Sequence, residues 1–235
     1  MKILPLIPAK SWSTGVENKN FREFHDGLSL VDIAVRCVEE AGVGQPVVSA
    51  TQMPRLKTNP IISIRPRALA LDTTPMLDVV RQVLASDLER GVDAVLLVQP
   101  TSPLRLPYHL NAAVDIADAA VPFGATSVVS IVPVPATQSA SAQLRFDLGV
   151  GLVAANDGSS LDSMPSNRQA HIKTFIRDGT AYLLRASVVR EGQFYGCSPA
   201  PLMVDPCDSL SIDTLDDWDE AKRRYAEREG GECEG

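Results

Sequence analysis

The fold of this chain is decided by a stretch near its middle, which has the sequence AVLLVQPTSPLR at residues 94–105. The first five residues are a continuous apolar run, which predicts a strand at the centre of a parallel sheet, buried on both faces. Two prolines fix the backbone of the loop that follows, and Pro107 marks the start of a helix. Ligands of open α/β sheets bind at the carboxyl ends of the strands. The loop after this strand is therefore a candidate binding site.

On both sides of this stretch, apolar runs alternate with helical patterns, which predicts stacked βα units. One helix opens with Thr73-Thr74-Pro75, a hydroxyl cap followed by proline at the first helical position. The spacing of apolar residues predicts strands at 3–7, 47–50, 61–64, 127–132 and 180–184, and helices at 29–41, 73–90, from 107 and from Thr214.

A change in composition between residues 133 and 176 sets this segment apart, since it is rich in Pro, Ser, Ala, Asn and Gly. It contains a hairpin-like pattern at 144–153. We interpret it as an arm on a single domain spanning 1–230, followed by a disordered tail at 231–235.

Composition excludes several classes of function. The net charge is −7 and no block of Lys or Arg is present, which argues against a nucleic-acid partner. No apolar run approaches the roughly 20 residues of a membrane span. The four cysteines lack CxxC or zinc-ligand spacing, which is typical of reduced thiols in a cytoplasmic protein. A small polyanionic ligand remains compatible with this charge, because it needs only a few cations.

The first loop, residues 8–20, directly follows a buried strand. Small residues such as Ser11 and Gly15 let the backbone approach a phosphate and direct N–H groups at it. Lys10 and Lys19 bracket the loop with two cations, although the order of a Walker loop is absent. These features favour a triphosphate site. The alternative is a polar surface loop with two solvated lysines.

The second candidate is the loop at 99–105. Gln99 offers a donor and an acceptor to a base or sugar, and Thr101 and Ser102 add hydroxyls. Arg105 adds a forked cation. The alternative is a strand-to-helix turn whose hydroxyls cap the helix at Pro107.

Two further segments carry charged groups suited to ligands. Ser211 and Asp213 alternate on one face of an extended segment, where a carboxylate could hold Mg²⁺ against a triphosphate; capping of the last helix is the alternative. Arg168-Gln169 and Arg177, which lies before a predicted strand, could clamp an anionic acceptor; exposed turn residues are the alternative.

Taken in order, these segments resemble the acylneuraminate cytidylyltransferases, the enzymes that make CMP-sialic acid and related activated sugar acids. VQPTSPLR is nearly identical to the family's motif, and the resemblance spans roughly residues 3 to 222. The matching motifs are IPAKSWSTGVENKN (7–20), RPRALALDTTPMLDVV (65–80), VQPTSPLR (98–105), SVVS (127–130), NRQ (167–169), IRDGTAYLL (176–184) and SLSIDTLDDW (209–218).

The resemblance implies a Rossmann-like three-layer α/β nucleotidyltransferase fold, glycosyltransferase-A-like, with a mixed, mostly parallel central sheet. It implies that Lys10, Ser11, Gly15 and Lys19 grip the triphosphate, with Lys19, Asp213 and Lys10 as catalytic residues. It further implies that the nucleotide contacts Asn20, Arg65, Gln99, Thr101 and Ser102. Asp213, with Ser211 as a weak ligand, would hold Mg²⁺ or Mn²⁺. Arg105, Arg168, Gln169 and Arg177 would face the acceptor. Family members usually form homodimers in which an arm like 133–176 reaches the partner's site.

The chain departs from the family pattern at several positions. Lys10 replaces an arginine, Thr14 replaces a lysine, and Ser211 replaces the first aspartate of a pair. Asp205 and Asp208 are the candidate substitutes for that aspartate. The segment VVSATQ (47–52) lacks the usual aspartate. These changes suggest a divergent acceptor, either a sialic-acid-like sugar acid or a small phosphonate from natural-product biosynthesis.

The predicted function is transfer of CMP from CTP to that small acidic acceptor, with release of pyrophosphate. The alternatives are a catalytically inactive nucleotide-binding paralogue, a nucleotidyltransferase that uses another NTP, and a plain α/β domain whose loops only cap helices.

Overall fold

The computed structural model describes residues 1–12, 15–86, 91–164 and 173–229. Its strands are β1 (Ile3–Ala9), β2 (Glu23–His25), β3 (Leu28–Ser29), β4 (Val47–Ala50), β5 (Ile61–Ile64), β6 (Ala94–Leu97), β7 (Ser127–Pro133), β8 (Leu144–Asp147), β9 (Gly151–Ala154), β10 (Phe175–Arg185) and β11 (Pro199–Met203). Its helices are α1 (Leu30–Ala41), α2 (Met76–Leu84), α3 (Pro107–Ala120), α4 (Ala186–Arg190) and α5 (Leu215–Glu229).

Seven strands form the central sheet, in the order β11-β7-β10-β6-β1-β4-β5. The strands β6, β1, β4 and β5 are parallel, whereas β10 runs antiparallel to β6. Strand β6 is buried along its whole length, as its apolar sequence predicts. The sheet is thus mixed and mostly parallel, and the predicted Rossmann-like α/β fold is confirmed.

The helix ends follow from local sequence, with one correction. Ser29 and Asp32 form a reciprocal capping box at the start of α1, and Gly42 ends that helix in the left-handed conformation. Thr214 caps α5, as predicted, by accepting a hydrogen bond from the backbone of Asp217. The cap predicted for α2 is wrong: Pro75 is itself the N-cap residue, and no side chain caps this helix.

Elements that the sequence pattern missed are short or lie at an edge. The hairpin β2–β3 and the five-residue helix α4 are too short to show periodicity. Strand β11 has the sequence PAPLM, and its two prolines disfavour a strand prediction. They are tolerated because β11 lies at the edge of the sheet.

The chain divides into two compact units. The first comprises residues 1–130 and 178–235, and the second comprises Ile131–Arg177. The second unit spans nearly the same residues as the segment at 133–176 that differs in composition. The predicted hairpin in the second unit is present as β8 and β9, which pair antiparallel with Phe146 opposite Leu152. Among the residues described, none of the helices is both long enough and apolar enough to cross a membrane.

Candidate functional site

The carboxyl ends of four parallel strands lie side by side at one edge of the sheet. Ala9 of β1 is in register with Ala50 of β4, which is in register with Ile64 of β5. On the other side of β1, Leu6 pairs with Leu97 of β6. The residues that follow these strands therefore meet at one edge. They are Lys10, Thr51, Arg65 and Gln99.

A cleft of about 240 Å³ opens at this edge. Six of the predicted site residues line it, together with two prolines and Met76. The lining consists of Pro8, Lys10, Lys19, Asn20, Arg65, Met76, Gln99, Pro100 and Thr101. The first loop and the loop at 99–105 therefore meet, as expected for two loops that leave neighbouring strands.

The segment around Asp213 joins the same edge. The backbone N–H of Ile212 donates to the carbonyl of Thr101 at 2.9 Å. Lys19 Nζ donates to the carbonyl of Ile212 at 2.5 Å and lies 3.2 Å from Asp213 Oδ1. Ile212 itself is fully buried in a cluster with Phe24 and Trp218, so the core fixes where Asp213 emerges.

Gly15 allows the first loop to pack against this segment. A Cβ atom built on Gly15 would lie 1.9 Å from the carbonyl oxygen of Asp213, a distance that no side chain tolerates. The predicted role of Gly15 was close approach to a phosphate. In the structure, Gly15 instead approaches the backbone of Asp213. This contact brings the first loop next to the Asp213 carboxylate, and 76% of the Asp213 side chain is exposed.

Arg65 is the cation of the cleft that has no acidic partner. Its residue surface is 8% exposed, and its Nε and Nη2 donate to the hydroxyl and the carbonyl of Ser49 at 2.8 and 3.0 Å. No carboxylate pairs with it among the residues that the structure describes. Burial lowers the pKa of Arg65 to about 10. A buried cation without a counter-charge at a cleft indicates an anionic ligand.

Asn20 and Gln99 supply neutral polar groups to the cleft. Asn20 Nδ2 donates to the carbonyl of Lys10 at 3.0 Å, which braces the first loop. Its Oδ1 is buried without a hydrogen-bond partner in the described part of the chain. Because buried acceptors are nearly always satisfied, this oxygen indicates a donor on a ligand or a water molecule.

Two contacts in the cleft involve residues that the sequence pattern did not single out. Lys10 forms an ion pair with Asp72, which lies between β5 and α2. Ser11 donates its N–H to Thr51 Oγ1 at 3.1 Å, and the two hydroxyl oxygens are 2.8 Å apart. The position of Thr51 directly after β4 was a signal that could have identified it, since ligands bind at strand ends.

Arg105 and Ser102 do not occupy the positions predicted for them. Arg105 is 5% exposed, and its guanidinium donates to the carbonyls of Gln99, Gly179 and Thr180, so it holds the loop to β10 instead of facing an acceptor. Ser102 is 1% exposed and packs against Gly179. Arg105 thus ties the loop between β6 and α3 to β10, whereas the buried Ser102 hydroxyl has no hydrogen-bond partner among the described residues.

Asp205 and Asp208, the predicted substitutes for the missing metal ligand, form hydrogen bonds to other groups of the protein. Asp208 is buried and accepts hydrogen bonds from Tyr108 at 2.7 Å and from Arg228 at 2.5 Å. Asp205 caps a short turn through the N–H of Cys207. Ser211 is exposed. In the described ranges no group of three or more His, Cys, Asp or Glu residues gathers to hold a metal, so Asp213 is the carboxylate that remains.

The predicted acceptor residues are only partly described. Arg168 and Gln169, like Thr14, lie outside the described residues. Arg177 is exposed near the start of β10, in the second compact unit.

The chain is similar in sequence to CMP-N,N'-diacetyllegionaminic acid synthase of Legionella pneumophila, with 27% identity over 228 residues that cover 93% of this chain and 94% of the relative. The relative supports the resemblance of the chain to the acylneuraminate cytidylyltransferases. By its name, the relative makes a CMP-activated sugar acid, in agreement with the nucleotidyltransferase class predicted from the sequence. No family model matches the chain.

Solved structures agree on the fold. The structure of CMP:2-keto-3-deoxy-manno-octonic acid synthetase complexed with CTP is 13% identical and superposes with a TM-score of 0.72, covering 97% of this chain and 100% of that one. Rv0371c from Mycobacterium tuberculosis H37Rv is 12% identical, with a TM-score of 0.57 over 94% of this chain and 97% of that one. Its complex with manganese is likewise 12% identical, with a TM-score of 0.55 over 95% and 99%.

Proposed function

We propose that the chain transfers CMP from CTP to a sialic-acid-like sugar acid and releases pyrophosphate. The observation that carries the proposal is the cleft at the sheet edge, where Lys10, Lys19 and Arg65 line one space with Gln99. Three cations suit a triphosphate, and the amide of Gln99 suits a base or a sugar edge. The sequence relative, a synthase of a CMP-activated sugar acid, supports both the nucleotide and the class of acceptor.

The reaction needs positioning and charge neutralisation more than covalent work by the protein. An acceptor oxygen forms a bond to the α-phosphorus of CTP as the bond to the pyrophosphate oxygen breaks. Lys10 and Lys19 stabilise the charge that develops on the leaving pyrophosphate, and Arg65 orients the phosphates. Lys10 and Lys19 follow β1, and Arg65 follows β5 on the far side of β4, so the sheet holds their spacing.

A divalent metal fits this donor set. Magnesium is commonly bound by one or two carboxylates together with substrate phosphates, and Asp213 offers one exposed carboxylate beside Lys19. Asp213 would hold the metal, which supplies charge neutralisation at the phosphate oxygens when bound. The proposal covers Mg²⁺ or Mn²⁺.

A small phosphonate is a second candidate acceptor, and one observation favours it. Among the described residues that line the cleft there is neither a carboxylate nor an imidazole. A sugar hydroxyl must lose its proton to act as a nucleophile, whereas a phosphonate oxygen is already ionised at neutral pH. The two acceptors therefore differ in their need for a base.

The test is pyrophosphate release by the purified protein with Mg²⁺ or Mn²⁺, each of CTP, UTP, ATP and GTP, and two acceptor sets, nonulosonic acids and small phosphonates. The proposal expects turnover with CTP and a nonulosonic acid. Turnover with phosphonates alone would favour the second acceptor. CTP binding without turnover on either set indicates an inactive paralogue, and preference for another nucleotide contradicts the cytidine assignment.

We further propose that the chain forms a homodimer through the hairpin β8–β9. Phe146 and Leu148 are 70% and 98% exposed, and Leu144 and Leu152 add to this apolar surface. Such a patch is typical of a protein interface. Light scattering after gel filtration should give twice the chain mass for the wild type and a lower mass for the double variant Phe146→Ser/Leu148→Ser. A wild-type monomer at micromolar concentration contradicts the proposal.

A further inference from the structure

Two hydroxyl groups at the end of β4, those of Ser49 and Thr51, contact Arg65 and Ser11, respectively. Ser49 and Thr51 are two residues apart, the spacing that puts side chains on the same side of an extended strand. In the sheet, β4 lies between β1 and β5. The end of β4 therefore adjoins both the first loop, which follows β1, and Arg65, which follows β5.

Thr51 holds the start of the first loop. Its Oγ1 accepts the N–H of Ser11 at 3.1 Å and lies 2.8 Å from the Ser11 hydroxyl oxygen. The N–H and the hydroxyl of Ser11 are thereby engaged. Ser11 therefore serves to anchor the loop, and the cationic group of neighbouring Lys10 is held at the cleft.

Ser49 holds the guanidinium of Arg65. Its side chain is fully buried, its Oγ accepts from Arg65 Nε at 2.8 Å, and its carbonyl accepts from Nη2 at 3.0 Å. A third bond, from the N–H of Arg65 to the carbonyl of Ala50 at 2.8 Å, fixes the backbone. The orientation of the guanidinium is thus set by the end of β4.

We infer that Ser49 and Thr51 are positioning residues that hold the first loop and Arg65 in the arrangement a nucleotide triphosphate needs. A hydroxyl group suits this task because it orients its neighbours without adding negative charge. A carboxylate at either position would accept the same hydrogen bonds, but it would neutralise Arg65 or Lys10 and compete with phosphate. The inference rests on the proposed function for its nucleotide, although the hydrogen bonds do not depend on it.

The experiment compares Thr51→Val, which removes the hydroxyl at nearly constant shape, with Thr51→Ser, which keeps it. Loss of the Ser11 contacts should raise KM for CTP about five- to tenfold, the effect of one to two hydrogen bonds, with little change in kcat. Thr51→Ser should restore the wild-type KM. Thr51→Asp should raise KM beyond Thr51→Val because of its charge.

A matched control and a second readout separate positioning from general stability. Thr126 is a partly buried threonine far from the cleft whose Oγ1 donates to the carbonyl of Tyr195 and accepts from the N–H of Ser198. Thr126→Val should destabilise the protein to a similar extent and leave KM for CTP unchanged. Hydrogen exchange at the Ser11 amide should accelerate several-fold in Thr51→Val and stay at the wild-type rate in Thr126→Val.

Equal KM values for Thr51→Val and wild type, with unchanged exchange at Ser11, would overturn the inference, as would equal shifts in both valine variants. If the wild type neither binds nor consumes CTP, the proposed function fails. The exchange rate at Ser11 then still decides whether Thr51 positions the loop.

Discussion

Arg65 and Arg105 are both buried arginines that follow strands of the sheet, and replacing each by methionine should have opposite consequences. Arg65 makes two hydrogen bonds to Ser49 and has no acidic partner in the described chain. Arg105 makes three hydrogen bonds, all to backbone carbonyls. The first side chain lines the cleft at the sheet edge, and the second ties a loop to β10.

The size of each effect follows from these contacts. The lowering of the Arg65 pKa to about 10 corresponds to roughly 3 kcal/mol against the buried charge. Arg65→Met removes this cost, but it also loses two hydrogen bonds and leaves the buried hydroxyl and carbonyl of Ser49 without that donor, together about 2–3 kcal/mol. The free energy of unfolding should therefore stay within about 1 kcal/mol of the wild type, whereas CTP affinity should fall by about 1.5–3 kcal/mol, roughly ten- to a hundredfold.

Arg105→Met leaves one buried and two partly buried carbonyls without their donor and should lower the free energy of unfolding by roughly 2–4 kcal/mol. Urea denaturation measures stability, and isothermal titration calorimetry with CTP and Mg²⁺ measures affinity. A large loss of stability in Arg65→Met with unchanged CTP affinity would show that Arg65 has a structural role. It would refute the inference that this arginine, which lacks an acidic partner among the described residues, binds an anionic ligand.

Three further variants test other parts of the molecule. Asp213→Ala should abolish turnover and leave the circular dichroism spectrum and melting temperature near those of the wild type; unfolding would make this residue a structural cap instead. Gly15→Ala should raise KM for CTP at least about fivefold, because the new Cβ atom would clash with the carbonyl of Asp213. The control Gly149→Ala should leave KM unchanged, because a Cβ atom there meets nothing closer than 3.5 Å. Burial lowers the pKa of His109, so just below pH 6.5 the unfolded chain gains a proton that the folded chain does not. The free energy of unfolding should therefore fall as the pH decreases from there, by up to about 1.4 kcal/mol per pH unit. His109→Gln should flatten this dependence in urea titrations at pH 7.5 and 5.5, and an unchanged slope would exclude His109 as its source.

The sequence predicts most of the sheet because its central strands are continuous apolar runs between turn residues. The bounds predicted for β4 and β5 agree with the structure, since a short buried strand is encoded locally. The meeting of Lys19 and Gln99 at one cleft was also predictable, because both follow neighbouring strands and carboxyl ends share an edge.

The contrast between Arg65 and Arg105 could not be predicted from the sequence. Both stand beside proline-containing turns, and their different environments arise from partners distant in the chain. Ser49 reaches Arg65 through strand register, and Gly179 reaches Arg105 through an antiparallel strand. The same holds for Asp72, whose pairing with Lys10 depends on how the segment between β5 and α2 returns to the cleft.

The charge balance of the cleft bears on how a nucleotide enters it. Lys10 pairs with Asp72 and Lys19 with Asp213, so one of the three cations, Arg65, is uncompensated. A triphosphate carries more negative charge than one guanidinium balances. Under the proposed function, a bound triphosphate would compete with Asp72 and Asp213 for the two lysines, and Asp213 would be a carboxylate that could hold a divalent metal. The exchange of partners is inexpensive because the ion pair of Lys10 is partly exposed, and such pairs contribute little stability. Arg65, which has no acidic partner among the described residues, would then offer the triphosphate its uncompensated charge.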